Sequence, residues 1–235
     1  MEVAMLNLKY LRLKVFHEIL TRVQPALRGS RMAEFEKIFA PERGTRVIDL
    51  GGTTTIWNLI KTPLDVTIVN LTCTDPAKNT DSHHHFTFVE GDATQLHDYS
   101  DNSFDIVFSN SVIEHVGGEP NERKFAGEAR RLAPSYYVQT PSVYFPLEAH
   151  TGIPFWWAMP RALRARMHRG WEKTLPDWNE MIRGTTVITR RKLQGYFPDG
   201  TVKTERILGI PKSYYVYRLA DVSAVVGTVE RPANL

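Results

Sequence analysis

The feature that most constrains this chain begins at Arg46, where five short apolar runs follow one another with helical segments or turns between them. The runs occupy 46–50, 66–71, 86–89, 104–109 and 136–139, and a helical pattern at 121–132 separates the last two. Runs this short, rich in Val, Ile and Phe and without strict polar alternation, are strands buried on both faces. Strands alternating with helices predict a doubly wound α/β fold, a mostly parallel sheet with helices on both sides.

Flanking segments extend that core. Leu6, Tyr10, Leu13, Phe16, Leu20 and Val23 recur at helical steps over 5–23, and a second helix carries Met32, Phe35, Ile38 and Phe39 before Pro41. The end of the chain predicts strands at 201–207 and 213–219, joined through Gly209-Ile210-Pro211 as a C-terminal antiparallel hairpin. Residues 141–185 break the rhythm. They hold five of the 14 prolines and four of the five tryptophans, and read as an insertion. The 235 residues thus divide into N-terminal helices (1–43), a core (44–140), an insertion (141–185) and closing strands (186–235) of a single domain, which is ordinary for this length.

Composition excludes some classes. One cysteine, Cys73, permits neither an intrachain disulfide nor a cysteine-held zinc site. No apolar stretch approaches a membrane span and the start lacks a signal-peptide core, so a soluble cytoplasmic protein is the default expectation. A net charge of +3 is too small to call for nucleic acid. The run His83-His84-His85 looks like a metal cluster, but three adjacent rings cannot converge on one ion, so an exposed loop and no metal are expected.

The first run and its turn read Val47-Ile48-Asp49-Leu50-Gly51-Gly52-Thr53. A strand running into glycines lets a ligand approach bare backbone, and Asp49 adds an acceptor at the strand end. The G-x-G-x-x-G turn of dinucleotide dehydrogenases is absent, which disfavours a nicotinamide cofactor. Asn70, 21 residues after Asp49, stands where such sheets place a ribose-binding side chain, and equally fits a turn cap. Asp92, in Glu90-Gly91-Asp92-Ala93, can accept from an exocyclic amine or cap a helix. The fourth run continues as Phe104-Asp105-Ile106-Val107-Phe108-Ser109-Asn110-Ser111-Val112-Ile113-Glu114-His115-Val116, with polar residues at its carboxyl end.

Together VIDLGG, EGDA and FDIVFSNSVIEHV resemble the class I S-adenosylmethionine-dependent methyltransferases, particularly the small-molecule branch called type 11. The likeness covers 44–140 closely and the rest loosely. It implies a Rossmann-like fold and S-adenosyl-L-methionine as cofactor. Asp49, Gly51 and Gly52 would flank its amino-acid end, Asn70 its ribose, Asp92 and Ala93 its adenine, and Asn110 its methionine portion. Two positions depart from the family: Thr53 replaces a glycine and Asn70 an acidic residue. They leave open a non-catalytic binding module that has lost the cofactor.

Methyl transfer needs a positioned nucleophile and, for a hydroxyl, a base. His115 follows the fourth run closely. Glu148 and His150, two apart beyond the fifth run, would pair if the chain turns there, giving a carboxylate-oriented imidazole. These three are the catalytic candidates for O- or N-methylation of a small-molecule, lipid-linked or sugar-linked acceptor. The stretch 155–169 runs from Phe155, Trp156 and Trp157 into Arg161, Arg164, Arg166 and Arg169. On a helix Arg161, Arg164 and His168 share a face beside Leu163 and Met167. It reads as a substrate-side lid with solvated arginines, or as a weak contact for an anionic membrane surface.

Overall fold

The computed structural model describes residues 25–72, 82–148 and 150–220. The helix expected at 5–23, Cys73 and the end of the chain lie outside these residues. The first described helix, α1, covers 25–39 and buries Met32 and Phe35 completely. The parallel part of the sheet comprises β1 (Arg46–Leu50), β2 (Asp65–Asn70), β3 (His85–Glu90), β4 (Ile106–Asn110) and β5 (Ser135–Pro141). Strands β6 (Thr201–Ile207) and β7 (Ile210–Arg218) complete seven strands in the order β3-β2-β1-β4-β5-β7-β6. All pairings from β3 to β5 are parallel, and β7 runs antiparallel to both β5 and β6.

The expected Rossmann-like sheet with its closing hairpin is therefore present. Leu208 and Gly209 both take left-handed backbone (φ 49° and 82°), the geometry of a two-residue turn that matches strand twist. The strand after it starts three residues earlier than the sequence pattern suggests. Pro211 is tolerated there because β5 pairs with β7 only from Ser213 onward, so no ladder donor is needed on that side.

Alternate residues of β1 serve the two faces. Ile48 and Leu50 pack with α3 (Glu119–Leu132) and α6 (Arg190–Tyr196), through Phe125, Leu132, Leu193 and Tyr196. Val47 joins α1 and the short α2 (Thr54–Trp57), with Phe35, Trp57 and Phe108. The insertion forms a helical pair, α4 (Arg161–Thr174) and α5 (Pro176–Gly184), with a small cluster of its own around Ile153, Trp156, Trp171 and Ile182.

The 83–85 run is not a plain exposed loop. His84 is buried; Leu64 N–H donates to its Nδ1 and its Nε2 donates to Trp57 O. Burial holds this imidazole below its ordinary pKa, so a neutral ring pins the end of α2 to the start of β2. His83 and His85 remain exposed.

Candidate active site

Strand order reverses between β1 and β4, and the carboxyl ends of those strands open a crevice. A cavity of about 640 Å³ occupies it. Its floor is Asp49, Gly51, Gly52 and Thr53 after β1, with Asn110 and Ser111 after β4. Gly51 adopts φ 78°, and a Cβ there would stand 2.6 Å from Val112 Cγ2. A Cβ on Gly52 would stand 1.7 Å from Asp49 Oδ2. Glycine is required at both positions. Thr53, by contrast, has extended backbone (φ −138°, ψ 155°) that any residue adopts, so the glycine it replaces is not demanded by the turn.

Asp49 is fully buried. Trp57 Nε1 donates to its Oδ2 at 2.8 Å, while Oδ1 has no partner. Burial pushes the carboxyl up to about 7, against the opposing pull of the indole hydrogen bond. One orphaned acceptor in a glycine cradle fits the amino-acid end of S-adenosylmethionine, whose ammonium would supply the missing donor.

The other expected cofactor residues are placed unequally. Asn110 lines the cavity, but its Oδ1 accepts from the Arg31 guanidinium, which also pairs with Glu205 at 2.8 Å. Asn70 lies at the end of β2, outside the cavity lining, with its Nδ2 donating to Gly52 O at 3.1 Å. Asp92 accepts from Thr94 N at 2.8 Å, capping a turn and not a helix, and Ala93 packs beside the core. Neither lines the cavity, because β3 is two strands removed from the β1–β4 crevice.

On the opposite wall the three catalytic candidates meet. Gly152 N donates to Glu148 O, His150 Nδ1 donates to Glu148 Oε1 at 2.7 Å and His150 N donates to Glu148 Oε2. His150 Nε2 lies 2.9 Å from His115 Nε2, and His115 Nδ1 lies 3.3 Å from Thr185 Oγ1. Burial drives His115 down to about 4; at His150 burial also lowers the pKa, but the hydrogen bond and charge of Glu148 together with the charge of Glu114 outweigh it and raise the imidazole. Glu114 was not singled out from the sequence. It is 1% exposed, accepts from Thr140 Oγ1 with Oε2, and leaves Oε1 unpartnered 4.0 Å from His115 Nε2. Burial pushes its carboxyl up to about 7. A carboxylate inside the apolar Val112-Ile113-Glu114 turn was the available signal. For Arg31 the signal was a cation in the stripe Leu27, Arg31, Phe35 of α1.

The insertion completes the wall with Trp157 and Thr185, joined by Thr186 and Val187 just after it. Its arginines are not all solvated, as the sequence reading has them. Arg164 is half-buried and lies over the rings of Trp156 and Trp157, at 5.9 and 5.3 Å, while Arg161, Arg166 and Arg169 are exposed. His168 Nδ1 donates to Asn179 Oδ1 at 2.7 Å, and Leu163 is exposed.

A family model described as methyltransferase domain matches residues 52–135. Over those residues the chain carries a methyltransferase domain, and its sheet has the fold of S-adenosylmethionine-dependent methyltransferases. S-adenosylmethionine is the cofactor of that domain. No curated protein matches the sequence. Solved structures share the fold at low identity. A phosphoethanolamine N-methyltransferase of Haemonchus contortus is 13% identical (TM-score 0.53), over 81% of this chain and 52% of that one. An O-methyltransferase family protein of Burkholderia thailandensis is 17% identical (TM-score 0.55), over 88% and 59%. A mycolic acid cyclopropane synthase is 17% identical (TM-score 0.52), over 79% and 64%. The chain spans about half the length of the first of these relatives. Among the described residues no helix is long and apolar enough to cross a membrane.

Proposed function

We propose that this methyltransferase methylates a hydroxyl or amine of a small acceptor held between the Gly51-Gly52 floor and the His150 wall. The observation that carries the reading is that Asp49 and the Glu148–His150 pair open on one cavity. The cofactor supplies an electrophilic methyl on a sulfonium. Asp49 would receive its ammonium, and its adenosyl end would run along the sheet edge past Asn70 toward Asp92 and Ala93. Glu148 fixes the ring of His150 so that its Nε2 and that of His115 share one proton site, which takes the proton of the acceptor. Trp157 and Thr185, with Thr186 and Val187 beside them, exclude water over the acceptor, so that 141–185 acts as the substrate-side lid of a single-domain enzyme.

The exposed Phe155 (63%), with Arg161, Arg166 and Arg169 following it, suits an acceptor presented at an anionic lipid or sugar-phosphate surface. Titration calorimetry with S-adenosylhomocysteine tests the first half of the reading: micromolar binding is expected, and no heat at millimolar ligand would leave only a binding module of the same fold. Turnover across hydroxyl and amine acceptors with labelled cofactor tests the second. An acceptor turned over equally well by His150→Ala would remove His150 from the mechanism.

A further inference from the structure

The hydrogen bonds around the two facing imidazoles fix where their protons are. Thr185 Oγ1 donates to Met181 O at 2.9 Å, so toward His115 it accepts, and the His115 Nδ1 carries a hydrogen. Glu148 accepts from His150 Nδ1, which therefore carries one as well. In the neutral rings both Nε2 atoms then present lone pairs, and they face each other across 2.9 Å. Such a pair is stable only with a positive charge between the nitrogens. A third group points to the same place: Glu114 Oε1, buried and unpartnered, 4.0 Å from His115 Nε2. The ligand atoms of Glu114, His115 and His150 all lie within 4.8 Å of one another.

We propose that Glu114, His115 and His150 bind a divalent first-row transition cation, zinc or manganese in class, on the cavity wall. Two imidazoles and one carboxylate are the donor set of catalytic sites that keep an open position. The outer nitrogens are already held by Glu148 and Thr185, the arrangement that orients metal-binding imidazoles. Nitrogens on one tetrahedral ion stand about 3.3 Å apart at bonds of about 2.0–2.1 Å, so the rings need separate by only ~0.4 Å. The His83–His85 run offers nothing comparable, since both nitrogens of His84 are taken by backbone. Glu114 and His150 line the cavity, so the open position faces the acceptor. The acceptor class that follows is a hydroxyl compound: its oxygen binds the cation, gives its proton to solvent at lower pH, and attacks the methyl carbon as the carbon–sulfur bond breaks. This deepens the methyl-transfer reading and replaces His150 as base by His150 as ligand.

The full chain, stripped with a chelator, is titrated with cobalt(II) and followed by visible absorption, with S-adenosylhomocysteine calorimetry on the same samples. The expected result is saturation at about one cobalt per chain, weakened on the order of 100-fold by His115→Ala or His150→Ala and about tenfold by Glu114→Gln. His97→Ala, an exposed histidine elsewhere, should leave it unchanged. Retained homocysteine-product binding in the variants shows that they are folded. No saturable absorption, or equal binding by His150→Ala, overturns the metal site; if the product still binds, methyl transfer with a histidine base stands. Cobalt binding without product binding would instead sink the methyl-transfer reading and leave the metal site.

Discussion

The two walls of the cavity are built by different means. The β1–β4 floor is made of backbone and fully buried groups within the main sheet: Gly51, Gly52 and Asp49, the last locked by Trp57. The insertion wall hangs on a satellite cluster whose fully or partly buried members, Trp156, Trp171, Trp178 and Ile182, touch mostly one another. A floor of this kind tolerates no added atom, whereas a small separate cluster opens without unfolding the sheet. Cofactor binding should therefore be separable from turnover by mutation.

The sharpest way to break this comparison is at the floor. Gly52→Ala drives a methyl group into the immobile Asp49 carboxylate. Calorimetry with S-adenosylhomocysteine should show loss of binding, on the order of 10²-fold or more, the scale at which close backbone approach matters. Retained micromolar affinity would place the cofactor elsewhere.

In the other wall, Trp171→Ala removes the ring shared by Trp156, His168 and Trp178 and should cost about 3–5 kcal/mol, confined to the insertion. Hydrogen exchange should show α4 and α5 unprotected while β1, β4 and β5 stay protected. Product affinity should stay within a few fold and turnover fall on the order of 10²-fold. Cooperative loss of protection in both regions would show that the walls are one unit.

A subtler test uses pH. The Asp49 carboxyl titrates near 7 in the fold and near 3.8 when unfolded, so the native state holds the proton more tightly. Its contribution is present below pH 3.8 and is lost as pH rises through 7. From pH 5 to 7 it should cost the unliganded protein about 2–3 kcal/mol, at 1.36 kcal/mol per unit. Asp49→Asn, which can still accept from Trp57, should flatten chemical-denaturation stability over that range. An unchanged slope would assign the proton elsewhere.

The smallest effect is expected at Thr53→Gly. Because Thr53 is already extended, a glycine there should lower stability by about 0.5–1 kcal/mol and change product affinity by less than about threefold. A tenfold gain in affinity would mean that the threonine had been weakening the site.

The sheet was legible from the sequence because strand burial depends on runs of a few residues. So was Asp49 before two glycines, since one short turn places all three. The Glu148–His150 contact was within reach too, being two residues apart and needing only a turn. Boundaries were less legible: Phe104 precedes β4, which starts at Ile106. What only the tertiary structure decided are meetings of residues distant in the chain. Packing of the segment after β5 against the end of β4 brings His150 to His115, 35 positions away. Packing of α1 across the strand ends puts Arg31 on Asn110, 79 positions away, so that this residue, expected beside the cofactor's methionine portion, already holds an internal hydrogen bond. Asp92 went the other way, satisfied by its own turn at Thr94 and left outside the cavity. Local patterns dictate local backbone, but the free acceptors and lone pairs that make chemistry depend on which distant groups fail to satisfy them.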